Sequence, residues 1–323
     1  MDTAAWYRWF AENEARGSSP QLERLAQAVA ENDGLLERLS RLPAAKRQPN
    51  LLFASVRFLG GPTVTVDGFV EFIQANSDEL EATMLARSTQ TNEVARCAAF
   101  LPILADLDTE LALIEVGASA GLCLFPDRYA YSYDGEKIGD SILMVEIETA
   151  DTVPVPQRLP TVTWRAGLDL NPLSVSDDAD LAWLRACIWP EHTERRRRLD
   201  LAATIVATDP PRLDRGDLRD ATLDLIDQAP RDATKVVFHS AVLAYVDEDS
   251  RLDFATTMRS MVDSRSDVVW LSNEAPSVIA GTEAADPIVE PPGNAQFHLV
   301  RDGTELVAVA DPHGQWLRWT EPH

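Results

Sequence analysis

The chain has 323 residues, 45% of them hydrophobic, and carries 52 acidic against 29 basic side chains, a formal net charge of −23. That length and apolar content suit one large or two moderate globular domains and exclude an intrinsically disordered chain. The acidity disfavours nucleic acid and anionic lipid as partners, because binding either depends on neutralising negative charge. Cys97, Cys123 and Cys187 are odd in number and contain no Cys-x-x-Cys pair, so reduced core thiols are expected rather than a disulfide framework or a metal site. Residues Met1 to Trp6 lack a basic stretch leading into an apolar core, and no window approaches 18 uninterrupted apolar residues. The expectation is a cytoplasmic protein with no signal peptide and no membrane span.

Residues 1–110 read as a helical N-terminal cap. Trp6, Trp9 and Phe10 fall at i, i+3, i+4 and predict a packing stripe; Leu22, Leu25, Ala26 and Val29 repeat the pattern, followed by Leu35, Leu36 and Leu39. The stretch Pro43–Pro49 ends this group. Further helices are predicted over Asp67–Ala86 and Thr89–Leu101, the latter stopped or kinked by Pro102. On it Asn92, Glu93 and Arg96 read as a solvated or capping face, with facing the pocket from the helical cap as the alternative.

After residue 110 short apolar runs alternate with helical stretches. Strands are predicted at Leu111–Val116, Val162–Leu170, Lys235–His239 and Val268–Ser272, with helix over Ala179–Ala207 and Arg251–Val262 between them. That alternation implies βαβ units and a mostly parallel sheet, so residues 111–323 are expected to form a Rossmann-like α/β domain. Asp302-Gly303 between Gln296–Val300 and Glu305–Ala310 predicts a terminal antiparallel hairpin. Residues 123–160 fit neither element and read as an insertion that loops out or forms a lid, with Tyr129, Tyr131 and Tyr133 alternating as in a strand.

The segment Leu113-Ile-Glu-Val-Gly-Ala-Ser-Ala-Gly-Leu122 carries the strongest local signal: a buried strand, a turn of small residues, then a segment able to start a helix. Small residues let a ligand approach the backbone, and a helix N-terminus offers free N–H groups. Three readings follow: a nucleotide-type site at a Rossmann-like switch point, a nucleophile elbow, since Gly117-Ala-Ser119-Ala-Gly121 matches G-x-S-x-G, or a structural turn. The elbow would use Ser119, Glu274 and His313 as a triad, with Phe58–Pro62 as an oxyanion loop, but the chain before it is helical where that fold needs strands. Two acids favour the ligand site. Asp169 ends the second predicted strand and is placed to accept from ribose hydroxyls; Asp217, in Gly216-Asp217-Leu218, is placed to meet an adenine amino group.

Glu115–Gly121 resembles motif I of class I S-adenosylmethionine-dependent methyltransferases; Gly167-Leu-Asp169-Leu-Asn-Pro172 is similar to their second-strand block and Gly216-Asp217-Leu218 to their third acidic block. The similarity covers roughly residues 90–310. The whole chain resembles an uncharacterised bacterial domain-of-unknown-function family carrying the Glu-x-Gly-Ala-Ser-Ala-Gly-Leu block. The chain departs from the methyltransferase pattern in having about fifty residues between the first two blocks and in Ser119 within motif I. The resemblance implies a methyltransferase-type sheet and S-adenosylmethionine as cofactor. Gly117, Ala118, Ser119 and Gly121 would face its methionine portion, Glu115 its ammonium, Asp169 the ribose, and Asp217 with Leu218 the adenine. The acceptor would be a small molecule or a protein side chain.

For the acceptor's proton, His239 at the end of the fourth predicted strand is the candidate base, against a structural histidine. Tyr245 is a candidate neighbour, and Glu274 a candidate acceptor contact, against core packing and a loop cap respectively. His192 and His298 have no partner spacing for a metal, and His313 reads as a turn residue. The Arg195–Arg198 run reads as surface ion pairs. A serine hydrolase using Ser119 and a non-catalytic protein retaining the methyltransferase-like fold are the alternatives. Residues 1–110 hold 16 acids and 10 bases, a balance of −6, leaving −17 for residues 111–323; within the methyltransferase class this disfavours a nucleic-acid substrate.

Overall fold

A computed structural model of the protein describes residues 2–150, 153–279 and 296–320. The chain divides into two compact units, residues 1–91 with 176–197, and residues 92–175 with 198–323. The sequence-expected boundary at 110 therefore moves: the last helix before the first strand belongs with the sheet, and a later helix joins the N-terminal unit.

The first unit holds helices α1 (Thr3–Phe10), α2 (Pro20–Ala30), α3 (Asp33–Ser40), α4 (Pro49–Phe58), α5 (Val66–Ala75) and α6 (Ser77–Ala86). Caps set several starts. The Ser19 hydroxyl accepts from Leu22 N ahead of Pro20, and Asn32 Oδ1 accepts from Leu35 N. The predicted Trp6, Trp9, Phe10 stripe is displaced, because Tyr7 and Phe10 are buried while Trp9 is 43% exposed. Tyr7 packs edge-on to Phe53, and Phe53 lies tilted against Phe69, with ring centroids 6.2 and 5.8 Å apart. The segment Asp67–Ala86 is two helices, broken at Asn76.

The second unit begins with α7 (Cys97–Asp106), which runs through Pro102 instead of ending there. A proline at this position cannot donate to the carbonyl four residues back. That carbonyl, Ala98 O, instead accepts from the Tyr133 hydroxyl at 2.7 Å. Thr89–Glu93 is not helical, so Asn92 and Glu93 precede the helix.

The strands are β1 (Glu110–Val116), β2 (Ala130–Tyr133), β3 (Glu136–Ile138), β4 (Met144–Ala150), β5 (Thr161–Asp169), β6 (Arg212–Arg215), β7 (Thr234–Ser240), β8 (Val268–Glu274), β9 (Phe297–Arg301), β10 (Glu305–Ala310) and β11 (Trp316–Trp319). They form one sheet in the order β3-β2-β4-β11-β10-β9-β8-β7-β1-β5-β6. Neighbours from β8 through β7, β1 and β5 to β6 are parallel, and β9, β10 and β11 follow β8 antiparallel to one another. Each of the four predicted core strands forms, as does the hairpin, whose Asp302 and Gly303 both have positive φ, 53° and 72°. Several elements escape the sequence reading. β6 and β11 are short and rich in charge or tryptophan. The 123–160 insertion is no lid: it supplies β2, β3 and β4, and β4 extends the sheet by pairing with β11.

Helix α8 (Asp178–Cys187) belongs to the first unit. Helix α9 (Thr193–Val206) follows Trp189-Pro190, which splits the predicted Ala179–Ala207 helix. Helices α10 (Leu218–Gln228) and α11 (Glu248–Ser264) cover one sheet face, where Ile114, Val116, Leu168, Val237, Phe254, Met258 and Trp270 form the core. Helix α7 covers the other face, with Phe100 edge-on to Phe238, centroids 5.3 Å apart. The result is a mixed α/β protein with a mostly parallel sheet, antiparallel terminal strands and N-terminal helices.

Candidate functional site

The C-terminal ends of β1, β5, β6 and β7 lie side by side, so the loops after them share one edge of the sheet. The turn after β1 is held tightly. Gly117 N and Ala118 N both donate to Leu168 O, at 2.7 and 3.0 Å, and Ser119 N donates to Asp169 Oδ2 at 2.7 Å. Ser119 has φ 54°, an uncommon conformation for a non-glycine residue. Ahead of the turn, Asn92 Oδ1 accepts from Leu122 N at 3.0 Å and its amide donates to Ala118 O at 3.4 Å. The residue that sequence reasoning set on a solvated face thus fastens the motif; its only signal was proximity to the strand.

The helix expected after Gly121 is absent: Leu122–Leu124 and Pro126–Arg128 are single 3₁₀ turns. They are fixed from the inserted strands and from β5. The Tyr129 and Tyr131 hydroxyls donate to Leu122 O and Pro126 O, and Arg165 forks onto Asp127 at 2.8 and 3.0 Å. The glycines of the motif serve this packing. Gly117 has φ 73°, and a Cβ there would enter the envelope of the Val242 side chain; on Gly121 (φ 70°) it would meet Pro211 Cγ at 2.8 Å. Their small size is set by neighbouring side chains of the chain itself. Ala118 is fully buried and lies where a Cβ on Gly167 would clash.

The acids of the motif differ sharply. Glu115 is buried, and its Oε2 has no hydrogen-bond partner. Burial, then the neighbouring Cys123 and Asp169, raise its carboxyl well above the usual range, against the pull of Arg96. Asp169 accepts from Ser119 N and, through Oδ1, from Asn171 N at 2.7 Å, leaving lone pairs on both oxygens. Leu170 beside it is 62% exposed. Asp217 caps α10 through Arg219 N and is forked by the Arg219 guanidinium at 2.8 and 2.7 Å, which holds its carboxyl down to about 2. Its acceptor capacity is largely taken, and Leu218 packs against the core.

The acid–base candidates resolve into a structural network. His239 is fully buried; Trp270 Nε1 donates to His239 Nε2 at 3.1 Å, and His239 Nδ1 lies 2.8 Å from Glu274 Oε1. An indole N–H only donates, so Nε2 accepts and Nδ1 carries the hydrogen given to Glu274. Nε2 has no lone pair left for an acceptor's proton, which turns the candidate base into a structural histidine. Glu274 also accepts from Val242 N at 2.9 and 3.1 Å and from Leu243 N at 3.3 Å. It caps the loop after β7, where Ala241 has φ 60° and Val242 meets Gly117. Three of these four contacts fall on Oε1 and one on Oε2, so Glu274 is engaged by His239 and by the loop after β7. Tyr245, read as a core residue, is 75% exposed. His313 N donates to Asp311 Oδ1 in the expected turn.

Further unpartnered buried atoms sit at the same edge. They are Asn273 Oδ1 and Ser272 Oγ near the end of β8, and both ring nitrogens of His298 at the start of antiparallel β9, opposite Glu274. Burial lowers the His298 imidazole below its usual range. Such atoms cost stability in a folded protein unless something meets them. Among the described residues no group of three or more His, Cys, Asp or Glu could hold a metal ion, and no helix is long and apolar enough to cross a membrane.

A parallel α/β core with its loops gathered at one edge defines a broad class of ligand-binding folds. The chain belongs to a particular family within the bacterial proteins: residues 4–319 match the family model described as "Uncharacterized protein conserved in bacteria (DUF2332)". No curated protein matches the chain.

Proposed function

We propose that the edge formed by β1, β5 and β7 binds S-adenosylmethionine through its methionine and ribose portions, and that the protein is a methyltransferase acting on a small molecule or a protein side chain. One observation carries this reading: Glu115, the acid of the motif, is a buried carboxyl group with an oxygen that nothing among the described residues satisfies. A buried acceptor of this kind favours a cationic donor, and an α-ammonium group is the donor that the motif's resemblance implies. The lone pairs left on Asp169 suit ribose hydroxyls. Asp217 suits an adenine contact less well, because Arg219 occupies it.

When bound, the cofactor supplies the electrophilic methyl group. The chain's part is to hold it: Asn92 and Asp169 fix the turn, and Glu274 with His239 fixes the facing loop. In-line displacement draws mainly on such positioning. With His239 engaged by Trp270, the acceptor's proton must leave to another group or to water. The test is isothermal titration of the folded protein with S-adenosylhomocysteine; saturable binding that weakens in Glu115→Gln supports the proposal, and no heat at millimolar ligand ends it. Positive φ at Ser119 favours a second reading, a nucleophile elbow. Labelling by a fluorophosphonate that disappears in Ser119→Ala would replace the first reading with it.

A further inference from the structure

We propose that Cys97 and Cys123 are a redox-sensitive pair, and that their oxidation to an intramolecular disulfide resets the turn after Gly121. Cys97 heads α7, and Cys123 lies in the Leu122–Leu124 turn. Each sulfur reaches the other's stretch of backbone: Cys97 Sγ lies 3.6 Å from Cys123 O, and Cys123 Sγ lies 3.5 Å from Glu93 O, four residues before Cys97. Both are buried free thiols. The neighbouring Cys97 thiol and then burial raise the Cys123 thiol well above its ordinary range.

Their setting is not that of inert core thiols. A buried cysteine that only fills space behaves as a small hydrophobe among hydrophobes. Here the Cys123 S–H points to the Glu93 carbonyl at 3.5 Å, and Cys123 is one of the neighbours that push the Glu115 carboxyl up. Two cysteines 26 positions apart are therefore brought together, the Cys97 sulfur against the Cys123 carbonyl, close to the acid of the motif that has an unsatisfied oxygen among the described residues.

The oxidant is a hydroperoxide. Hydrogen peroxide converts one thiol to a sulfenic acid and releases water; the second sulfur attacks the sulfenic sulfur, the S–O bond breaks, and a second water leaves. Two thiols and one peroxide give one disulfide and two waters, the sulfur pair losing two electrons to the peroxide. Because both sulfurs are buried, reaction waits on local opening and is slow. Once formed, the bond removes the Cys123 S–H from the Glu93 carbonyl and draws Leu122–Leu124 toward the start of α7, since a disulfide requires closer approach than thiol contact. The consequence for a ligand rests on the cofactor reading; the disulfide itself does not.

The test treats the full-length folded chain with hydrogen peroxide, then quenches, denatures, alkylates and maps the peptides. The expected result is a cross-linked peptide pair joining Cys97 to Cys123, with Cys187 outside the bond, lost in Cys97→Ser and in Cys123→Ser but retained in Cys187→Ser. Hydrogen exchange should change across residues 119–124 in the oxidised protein, and S-adenosylhomocysteine affinity should fall by about tenfold and recover with dithiothreitol. If both cysteines stay alkylatable, or oxidise singly to sulfinic acid, the pair is refuted. Cross-linking with unaltered exchange over 119–124 refutes the reset. Cross-linking with altered exchange upholds the proposal even where the reduced protein binds no S-adenosylhomocysteine, an outcome that falls on the cofactor reading alone.

Discussion

Replacing His239 with Phe separates a structural histidine from a catalytic one. The ring shape is nearly kept, so little cavity forms, but two hydrogen bonds are lost in a fully buried site: Trp270 Nε1 to His239 Nε2 at 3.1 Å, and His239 Nδ1 to Glu274 at 2.8 Å. A buried indole N–H left unpaired costs about 1–3 kcal/mol, and a hydrogen bond to a charged group is worth about 1.5–3 kcal/mol. Glu274 keeps the Val242 and Leu243 amides, which limits the damage. The two terms add to about 2.5–6 kcal/mol, and the retained amides place the loss in the lower half of that range. Urea unfolding followed by tryptophan fluorescence should show the midpoint falling with an unchanged slope. Trp270→Phe removes the same indole N–H together with ring volume and should lose about 1–3 kcal/mol. A His239→Phe protein within about 1 kcal/mol of wild type would refute the network, since a solvated or catalytic histidine costs little to remove.

Gly117→Ala should destabilise by about 2–4 kcal/mol through positive φ and collision with Val242, whereas Gly135→Ala, with φ 94° but nothing within 4 Å, should lose only about 1 kcal/mol; thermal denaturation compares them. Glu115→Gln should be more stable than wild type at pH 8 and little different at pH 5. The raised carboxyl favours the protonated folded state, so its contribution is present below the ordinary carboxyl range and is lost as pH rises through the raised value. Asp217 behaves oppositely: its contribution is full above the ordinary value of 3.8 and is lost as pH falls toward about 2. It is small because the pair with Arg219 is partly solvated; Asp217→Ala should cost about 1 kcal/mol as a lost cap, read by unfolding at pH 7. Asn92→Ala should free the Leu122 amide, with faster hydrogen exchange at Leu122 and weaker S-adenosylhomocysteine binding.

Much of the sheet was legible because strand burial is a local property. β1, β5, β7 and β8 are apolar runs flanked by helices, and Asp302-Gly303 adopts the turn its residue types prefer. Pro102 misled because its penalty is removed by a group 31 positions away in sequence, the Tyr133 hydroxyl on Ala98 O. The tyrosine alternation at 129–133 was visible, but the partner of its strand was not: β2 pairs with β4, and β4 reaches the sheet only through β11 near the C-terminus.

The candidate site divides in the same way. Sequence alone marked Glu115, the Gly117–Gly121 turn, Asp169 and Asp217, because tight turns at strand ends demand particular residue types. It also marked His239 and Glu274, and set out both a chemical and a structural reading for each. Only the tertiary structure decided between them. The lone pair of His239 is closed by Trp270, 31 residues later, and Glu274 is engaged by the histidine and by the loop after β7. Whether a titratable side chain is free to react depends on which donors reach it, and those donors come from strands that neighbour in the sheet and not in the chain. For Glu115 the same physics gives the opposite outcome: among the described residues no donor reaches its Oε2, and it is this buried acceptor on which the proposed ligand site rests.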